Sequence, residues 1–260
     1  MIRVGVLGAA GRMGRLVARA VAEDPGLALV AAIDRSHTGR TIGSLIGRPD
    51  VDVPVSDELD RLLEAQVEVA VDFTHPDVVM DDLTFCISHA LHTVVGTSGF
   101  DEDRLTEVRR MLEREGGESN VIVAPNFALG AVLMQRFAAE AARHFADVEI
   151  VELHHDGKVD APSGTAIATA GRIARERAGG GHAAGERARG EVVDGVRVHS
   201  VRLPGLVAHQ EVIFGGAGET LTIRHDSIDR SSFLPGVLLA IRAVATRPGL
   251  TVGLEPLLGA

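Results

Sequence analysis

Short, continuous apolar runs alternate with amphipathic segments along the first half of the chain. The runs lack the polar alternation of a half-exposed strand, and the segments between them carry apolar residues at helical spacing. Buried strands separated by helices are typical of a parallel sheet with helices on both faces. The predicted strands cover residues 2–7, 27–34, 67–73, 92–96 and 120–124, and the predicted helices extend to about residue 23 and over about 77–90 and 101–115.

The pattern changes near residue 127, after which strand-like runs come to follow one another without intervening helices. A Gly-Gly-Ala-Gly turn at 215–218 predicts a hairpin. Successive strands of this kind suit a mixed or antiparallel sheet. The predicted order is a helix at about 129–145, a strand at 147–154, a helix from 163 to about 178, strands at 196–203, 209–215 and 219–227, and a helix at about 231–246.

Together the two patterns predict an α/β protein with two domains. The first is a doubly wound parallel sheet, and the second is a smaller α+β domain with a mixed sheet. Residues 35–55 are interpreted as a polar connection that contains several glycines. Residues 179–190 are rich in glycine and charge, and we expect a mobile loop there.

The composition is typical of a globular protein whose partner is not a nucleic acid. Apolar residues make up 45% of the 260, the mean hydropathy is +0.16, and no apolar run is long enough to predict a membrane span. With 26 basic and 36 acidic residues the formal charge is −10, which argues against binding to phosphate backbones. An anionic ligand would need positive charge concentrated locally. The N-terminus lacks the pattern of a signal peptide, so a cytoplasmic location is expected.

Three residue types limit the chemistry that this chain can perform. Cys86 is the only cysteine, and its place in the apolar pattern of a predicted helix favours packing over a nucleophilic role. Tyr and Trp are absent, so a reductase that relies on a tyrosine general acid cannot be built from this sequence. Any proton donor must therefore be His, Lys, Asp, Glu, the cysteine or water.

The first strand leads directly into a glycine-rich loop and a helix. Gly8, Gly11 and Gly14 give a G-x-x-G-x-x-G spacing, which is a variant of the dinucleotide fingerprint. Such a loop turns tightly, lets the backbone approach a pyrophosphate and directs the helix N-terminus at the phosphates. The spacing predicts a Rossmann-type domain, with an ordinary strand-turn-helix as the alternative.

An acid at the end of the second strand favours the dinucleotide interpretation. Asp34 lies where a carboxylate can hydrogen-bond the adenosine ribose diol of NADH. Arg35 follows at once and could meet the 2′-phosphate of NADPH instead. The pair predicts use of both NADH and NADPH, with the carboxylate favouring NADH. Arg12 could approach the phosphates or the 2′ position, or lie in solvent.

Three further strand ends are expected at the same crevice, because ligands of parallel sheets bind outside the carboxyl ends of the strands. Each presents Thr, Ser, Asn or Gly after an apolar run, where a nicotinamide and its ribose would lie. Any one of them alone is interpreted as a turn, but the three together favour cofactor contact. They are DFTHP at 72–76, GTSGF at 96–100 and APNFALG at 124–130.

The densest group of titratable residues lies in ELHHDGKVDAPSGTA, at 152–166. His154 and His155 point to opposite faces unless the strand ends there. Lys158 lies four residues beyond His154, and a turn could bring its amine back toward that imidazole. Imidazole and ammonium groups are the plausible proton donors in a chain without tyrosine.

The residues that follow are predicted to begin a helix. Ser163 is a good N-cap, and Gly164-Thr165 would then expose N–H groups at the positive end of the helix. With the histidines and the lysine, this predicts a cationic pocket that suits a carboxylate. Two alternatives are a metal site, for which the ligand spacing is not typical, and a purely structural loop before a capped helix.

These motifs resemble those of a known family, dihydrodipicolinate reductase, and the resemblance covers essentially the whole chain. The sequence His-His-x-x-Lys-x-Asp-Ala-Pro-Ser-Gly-Thr is its specific part, whereas the glycine spacing is not specific. The resemblance is strongest to actinobacterial members. Other matching stretches are VGVLGAAGRMG, DFTHPDVV, VVGTSGF, APNFALGAVL, GLVAHQEVIFG and ETLTIRHDSIDRSSFLPGVLLA.

The resemblance implies roles for individual residues and no metal. His154 would be the catalytic acid/base, and Lys158 would be the proton donor. The residues implied to bind the substrate carboxylates are His155, Ser163, Gly164 and Thr165. The residues implied to contact the dinucleotide are Gly8, Ala9, Ala10, Gly11, Arg12, Met13, Asp34, Arg35, Phe73, Thr74, Gly96, Thr97, Ser98, Ala124, Pro125, Asn126 and Phe127.

The resemblance also implies the organisation of the domains. A dinucleotide-binding domain at 1–126 would be joined by 231–260, and 127–230 would form the substrate-binding and oligomerisation domain of a homotetramer. Gly157 departs from the pattern of some members, which carry a further histidine there, and Ser98 replaces a common threonine. Residues 35–50 and 179–190 match only loosely.

The implied function is reduction of 4-hydroxy-tetrahydrodipicolinate to tetrahydrodipicolinate by NADH or NADPH, in lysine and diaminopimelate biosynthesis. Its substrate would be a small dicarboxylate. One alternative is a module that senses NAD(H) without turnover, which has no evident use for the His and Lys residues. Another is an amino-acid-pathway dehydrogenase of the aspartate or homoserine type, which lacks the His-His motif. The sequence leaves open whether His154 or Lys158 delivers the decisive proton.

Overall fold

The computed structural model describes residues 1–177 and 190–259, and the chain divides into two compact units. The first unit contains Met1–Phe127 together with Phe233–Ala260, and the second contains Ala128–Ser232. The loop predicted at 179–190 lies outside the described residues, apart from Gly190. Among the residues described, no helix has the length and apolar character needed to cross a membrane.

A seven-stranded parallel sheet forms the centre of the first unit, counted over its described residues. Its strands are β1 (Ile2–Leu7), β2 (Leu27–Ile33), β3 (Val55–Ser56), β4 (Val69–Asp72), β5 (His92–Val95), β6 (Val121–Val123) and β12 (Leu250–Val252). Their order is β12-β6-β5-β4-β1-β2-β3, and every pairing is parallel. The chain order reverses between β1 and β4, and such switch points are the usual ligand sites of doubly wound sheets.

The strands of this sheet are buried on both faces. Consecutive residues from Val4 to Leu7 are all buried although successive side chains point to opposite faces, as expected for a strand between two layers of helices. The helices of the first unit are α1 (Arg12–Glu23), α2 (Ile42–Ile46), α3 (Asp60–Glu64), α4 (Val79–Ser88), α5 (Glu102–Arg114) and α8 (Leu234–Ala243).

The strands and helices with clear apolar patterns agree with the sequence, whereas α2, α3, β3 and β12 were missed. The segment predicted to be a polar connection contains α2 and the first residue of β3, and the C-terminal tail contains β12. The last helix is shorter than predicted, because 3-10 turns at Arg230–Phe233 and Val244–Thr246 flank α8. Gly236 of α8 packs closely, since a Cβ there would lie 2.1 Å from the carbonyl oxygen of Phe127.

The second unit contains a five-stranded mixed sheet among its described residues. Its elements are α6 (Leu129–Ala141), β7 (Asp147–His154), α7 (Gly164–Glu176), β8 (Glu191–Val193), β9 (Val196–Arg202), β10 (Ala208–Gly216) and β11 (Glu219–Ser227). The strand order is β11-β10-β7-β9-β8, in which β7 and β9 are parallel and the other pairs are antiparallel. The predicted hairpin is β10–β11, and the predicted combination of a parallel sheet and a mixed sheet is confirmed.

Helices α6 and α7 cover one face of the mixed sheet. Ile150 and Phe214 of the sheet pack in one buried cluster with Ala138 of α6 and Ile173 of α7. Along β7 the buried residues alternate with partly exposed ones, so one side of the strand faces this core. Glu152 continues the buried side of the alternation, at the end of the strand where the histidines lie.

Candidate active site

The glycine loop of the first unit leaves no room for side chains at Gly8 and Gly14. Gly8 has φ of +72°, and a Cβ there would lie 2.5 Å from the carbonyl oxygen of Phe73. A Cβ on Gly14 would lie 2.0 Å from the carbonyl oxygen of Gly8. Helix α1 begins after Gly11 without a hydrogen bond from a capping side chain. Its first N–H groups are therefore available to an anionic ligand.

Asp34 lies beside this loop and is held by three hydrogen bonds. One carboxylate oxygen accepts from the backbone N–H of Ala10 at 2.9 Å, and the other accepts from the N–H and hydroxyl of Ser36 at 2.8 and 2.6 Å. These donors fix the carboxylate at the rim of a cavity of about 570 Å³. Residues around that cavity include Gly8, Ala10, Gly11, Asp34, Arg35, Ser36, Phe73 and Thr74.

The ends of β4, β5 and β6 are linked by side-chain contacts. One oxygen of buried Asp72 accepts hydrogen bonds from the hydroxyls of Thr74 and Thr97, each at 2.7 Å, which links β4 to β5. Gly96 lies so close to the ring of Phe73 that a Cβ would be 2.2 Å away. The ring centroids of Phe73 and Phe127 are 5.7 Å apart, and Phe127 lies in the loop that follows β6. This contact therefore links the end of β6 to the end of β4. The structure thus brings these predicted strand ends together.

The other residues implied to contact the dinucleotide lie in the same loops and differ in accessibility. Ala9, Ala124 and Thr97 are buried, and their side chains support the loops. Those whose side chains are partly or fully exposed are Arg12, Met13, Ser98, Pro125 and Asn126.

A buried pair of carboxylates lies beside this cavity and was not found from the sequence. The hydroxyl of Thr74 lies 2.7 Å from one oxygen of Asp72 and 3.3 Å from one oxygen of Asp82. Burial, together with the nearby charge of Asp72, raises the pKa of Asp82 to about 7. Burial raises the pKa of Asp72 as well. The available signal was Asp82 itself, an acid on the apolar stripe of α4 between Val79 and Cys86.

The histidine cluster of the second unit is arranged around a buried carboxylate. Strand β7 ends at His154, whose Nδ1 lies 2.5 Å from Oε2 of Glu152. Arg202 at the end of β9 donates two hydrogen bonds to the same carboxylate, at 2.7 and 2.9 Å. Glu152 has no exposed surface. Sequence reasoning missed both Glu152 and Arg202, although an acid on the inward side of β7 was a usable signal.

The pKa of His154 is lowered from its ordinary value. Burial is the main cause, the hydrogen bond and charge of Glu152 oppose it, and the positive charges of Lys158 and Arg202 lower the pKa further. At neutral pH the imidazole is therefore neutral, with one nitrogen protonated.

The Lys158 amine is held by the carboxylate of Asp160. Its Nζ donates to both oxygens of Asp160 at 2.7 Å. The backbone N–H of Lys158 donates to the carbonyl oxygen of His155 at 3.1 Å, which forms the predicted turn. The amine was expected to return toward His154, and its hydrogen bonds go to Asp160. Its charge still acts on the His154 imidazole.

Helix α7 begins as its sequence predicted. The Ser163 hydroxyl accepts a hydrogen bond from the N–H of Ala166 at 3.2 Å, so Ser163 is the N-cap. Gly164 is exposed, and no atom lies within 4 Å of the place that a Cβ would take. Thr165 is partly exposed, as is usual in a first turn, and His155 is exposed beyond the end of β7. The first N–H groups of the helix are available to an anion.

A glycine loop at the switch point of a parallel sheet, with a carboxylate at the end of β2, is characteristic of an oxidoreductase that uses a nicotinamide dinucleotide. The family model for the N-terminus of dihydrodipicolinate reductase matches residues 2–127, and the model for its C-terminus matches 130–258. The chain therefore belongs to the dihydrodipicolinate reductase family, as its motifs predicted.

Similar proteins agree over the full length of the chain. It is 55% identical to 4-hydroxy-tetrahydrodipicolinate reductase of Nocardia farcinica, over 99% of this chain and 98% of that protein. It is 51% identical to the enzyme of the same name from Corynebacterium aurimucosum, over 99% of each. Dihydrodipicolinate reductase of Paenisporosarcina sp. TG-14, solved with bound dipicolinate, superposes with a TM-score of 0.86 at 41% identity, over 98% of this chain and 99% of that one.

The protein is an oxidoreductase of lysine and diaminopimelate biosynthesis, and it uses NADH or NADPH. This confirms the function and cofactors that the resemblance implied. It also decides against the two alternatives, a sensing module without turnover and a dehydrogenase of the aspartate or homoserine type. The similarity to actinobacterial members is likewise confirmed.

Proposed function

We propose that this chain reduces 4-hydroxy-tetrahydrodipicolinate, after loss of its hydroxyl as water, to tetrahydrodipicolinate. One hydride and one proton are added to the resulting dihydropyridine dicarboxylate. The names of the full-length relatives and the dipicolinate bound to a homologue support a ring dicarboxylate as the substrate. The observation that carries the proposal is the group of His154, Lys158 and the N-terminus of α7 at one end of the mixed sheet.

The residues of the glycine loop fit the dinucleotide. Gly8 and Gly14 leave no room for side chains between the loop and the strands, so the backbone itself would face the pyrophosphate. Asp34 would accept hydrogen bonds from the adenosine ribose, and Arg35 would balance a 2′-phosphate. Phe73, Thr74, Gly96, Thr97 and the loop Ala124–Phe127 would line the nicotinamide end. The bound dinucleotide supplies the hydride.

The substrate carboxylates would bind at the start of α7. His155, Ser163, Gly164 and Thr165 would surround one carboxylate, with the helix N–H groups as donors. Lys158 and Arg202 lie near this helix end, and each is paired with a carboxylate, Asp160 and Glu152 respectively. In a chain whose formal charge is −10, a doubly charged ring acid would therefore be bound mainly by the N–H groups of the helix and by the His155 and Lys158 side chains.

His154 and Lys158 would supply the proton. Negative charge develops across the conjugated C=N system as the hydride adds, and a positioned acid lowers the energy of that transition state. The Lys158 ammonium carries three protons, and Asp160 accepts hydrogen bonds from it. His154 would either exchange the proton with the substrate or hold the substrate in position while Lys158 donates it.

The test of this proposal is a comparison of substrates. Absorbance of NADH and of NADPH is followed with freshly generated 4-hydroxy-tetrahydrodipicolinate, and separately with aspartate semialdehyde and with oxaloacetate. Rapid oxidation with the first compound alone is expected. Turnover of either of the other two at a similar rate, or binding of NADH without oxidation, would refute the proposal.

We further propose that the protein is a cytoplasmic homotetramer that assembles through the face of the mixed sheet opposite α6 and α7. On that face Val151 and Ile213 are partly exposed, and Glu149 and His199 form a hydrogen bond of 2.7 Å. These four residues lie around one cavity of about 530 Å³. A sheet face with exposed apolar residues is a common oligomer contact. Light scattering on the purified protein should give four times the chain mass, and a monomer mass would contradict the assembly.

A further inference from the structure

Glu152 is a buried carboxylate directly behind the His154 imidazole. It has no exposed surface, and its two oxygens accept hydrogen bonds from four other residues, namely His154, Ser163, Ser200 and Arg202. Oε2 accepts from His154 Nδ1 at 2.5 Å and from Arg202 Nη1 at 2.9 Å. Oε1 accepts from Arg202 Nη2 at 2.7 Å and from the backbone N–H of Ser163 at 3.2 Å. One carboxylate thus joins the end of β7, the end of β9 and the start of α7.

The charge of Glu152 decides which nitrogen of His154 carries the proton. Burial alone would raise the pKa of Glu152, but hydrogen bonds from Arg202, Ser200 and His154 outweigh it, and the pKa is lowered. The carboxylate is therefore ionised at neutral pH and can only accept hydrogen bonds. His154 Nδ1 must carry the hydrogen, which leaves Nε2 as the nitrogen that faces away from the carboxylate.

We propose that Glu152 and Arg202 are positioning residues for the reduction, which hold His154 as the Nδ1–H tautomer so that Nε2 can exchange the proton with the substrate. This inference rests on the role of His154 in the proposed function. The physical reason is that a neutral imidazole without a fixed partner samples both tautomers and several ring orientations. A buried charged acceptor removes that freedom before the substrate arrives.

Arg202 extends the same anchor to the lysine. Its Nη2 also donates to the backbone carbonyl of Asp160 at 2.7 Å, and the Asp160 side chain holds the Lys158 amine. The Glu152–Arg202 ion pair therefore supports both groups that handle the proton. A lysine in place of Arg202 has no planar fork and could not bridge the carboxylate and the carbonyl together.

The charged groups around His154 give the inference a pH signature. Those that act on the imidazole are Glu152 on its own strand, Lys158 in the following loop and Arg202 on β9. Only Glu152 raises the pKa of His154, whereas burial and both cations lower it. Removing the charge of Glu152 should therefore move the titration of His154 to lower pH.

The test compares Glu152→Gln with the unchanged enzyme in kinetics and in NMR. We expect kcat to fall about tenfold or more, with little change in the KM for NADH. The limb of the pH–kcat profile that belongs to His154 should move to lower pH. In protein with ¹⁵N-labelled histidine, the His154 signals should change from a single Nδ1–H tautomer to a mixture. Glu152→Asp keeps the charge and should recover part of the rate and the single tautomer.

The controls separate positioning from folding. Glu176→Gln removes a carboxylate from an exposed ion pair with Arg143 in the same unit, and should leave kcat and the profile unchanged. If Glu152→Gln does not fold, the same measurements are made on Arg202→Lys. That variant keeps the positive charge beside Glu152 and loses the planar guanidinium that donates to both Glu152 and Asp160. A folded variant with normal kcat, an unmoved profile and one His154 tautomer overturns the inference.

The result can also be distinguished from failure of the proposed function. His154→Gln is measured in the same series. If that variant keeps full activity, the proposed role of His154 is wrong. If it loses activity while Glu152→Gln and Arg202→Lys do not, the role of His154 stands and the positioning role fails.

Discussion

The carbonyl oxygen of Gly8 lies 2.0 Å from the place that a Cβ on Gly14 would occupy. This contact closes the glycine loop against the first turn of α1, and the neighbours of that Cβ are all backbone atoms. The loop therefore cannot accept a side chain at residue 14 without moving. Because the same loop is proposed to hold the pyrophosphate, stability and dinucleotide binding should depend on it together.

Gly14→Ala should both destabilise the protein and weaken NADH binding. Overpacking against backbone typically costs about 1–3 kcal/mol of unfolding free energy. Thermal unfolding and NADH titration by fluorescence measure the two effects. Gly171→Ala in α7 is the matched control, because its Cβ would meet only the Asp194 and Arg175 side chains. Equal behaviour of the two variants would contradict the close approach in the loop.

Asp34→Ala should change the preference between the two cofactors. Loss of a charged hydrogen bond to the ribose diol should lower kcat/KM for NADH by about tenfold or more. The value for NADPH should fall less, because Arg35 remains. Asp50→Ala, which removes an exposed acid paired with Arg48, is the control and should change neither value. A similar loss of kcat/KM with both cofactors would mean that Asp34 does not bind the adenosine ribose.

Asp82→Asn should make the protein more stable at high pH. Burial and the charge of Asp72 raise the pKa of Asp82 from its ordinary value of 3.8 to about 7 in the folded state. Between these two pH values the folded protein therefore binds more protons than the unfolded chain. Stability due to the protonated form is therefore present at low pH and lost as the pH rises through about 7.

The measurement for Asp82 is thermal unfolding as a function of pH. The unchanged protein should lose stability between about pH 4 and about pH 7, and the variant should lose at least about 1 kcal/mol less over that range. The asparagine amide could also donate to the buried Asp72 Oδ2, which accepts no hydrogen bond in the described structure. Parallel pH curves for the two proteins would mean that Asp82 is ionised throughout.

Cys86 should resist thiol reagents while the protein is folded. Its side chain is fully buried, and burial raises the pKa of the thiol to about 12. The thiolate is the reactive form, so at neutral pH Cys86 should react only in molecules that have transiently unfolded around it. Labelling with and without denaturant measures this, and rapid labelling of the native protein would contradict the packing role expected from its position in α4.

The sequence predicted the long elements well because their apolar patterns are strong. Buried β1 and amphipathic α1 were located within a residue or two. The elements α2 and β12 were missed because they are short and lie in a polar, glycine-containing segment and in the C-terminal tail, whereas the equally short β6 was predicted from its continuous apolar run. Their structure depends on pairing with distant strands, as β12 pairs with β6.

The candidate site was predicted in part for a similar reason. His154, Lys158 and Ser163 lie close together in sequence, so their motif was visible. Arg202 lies 50 residues from Glu152, and only the parallel pairing of β7 with β9 brings the two together. The charge of Lys158 acts on the His154 imidazole, but the hydrogen bonds of its amine to Asp160 were not predicted. Side-chain partners among several nearby charges depend on geometry that the sequence does not contain.

The central claim is that His154 and Lys158 carry the proton of the reduction. Its most direct test is single-turnover oxidation of NADH by His154→Gln, by Lys158→Met and by the double variant. We expect each single variant to lose about 10²–10⁴ in rate while NADH affinity is unchanged, and the double variant to lose little more than the worse single. Rates near that of the unchanged enzyme in both single variants would contradict the account.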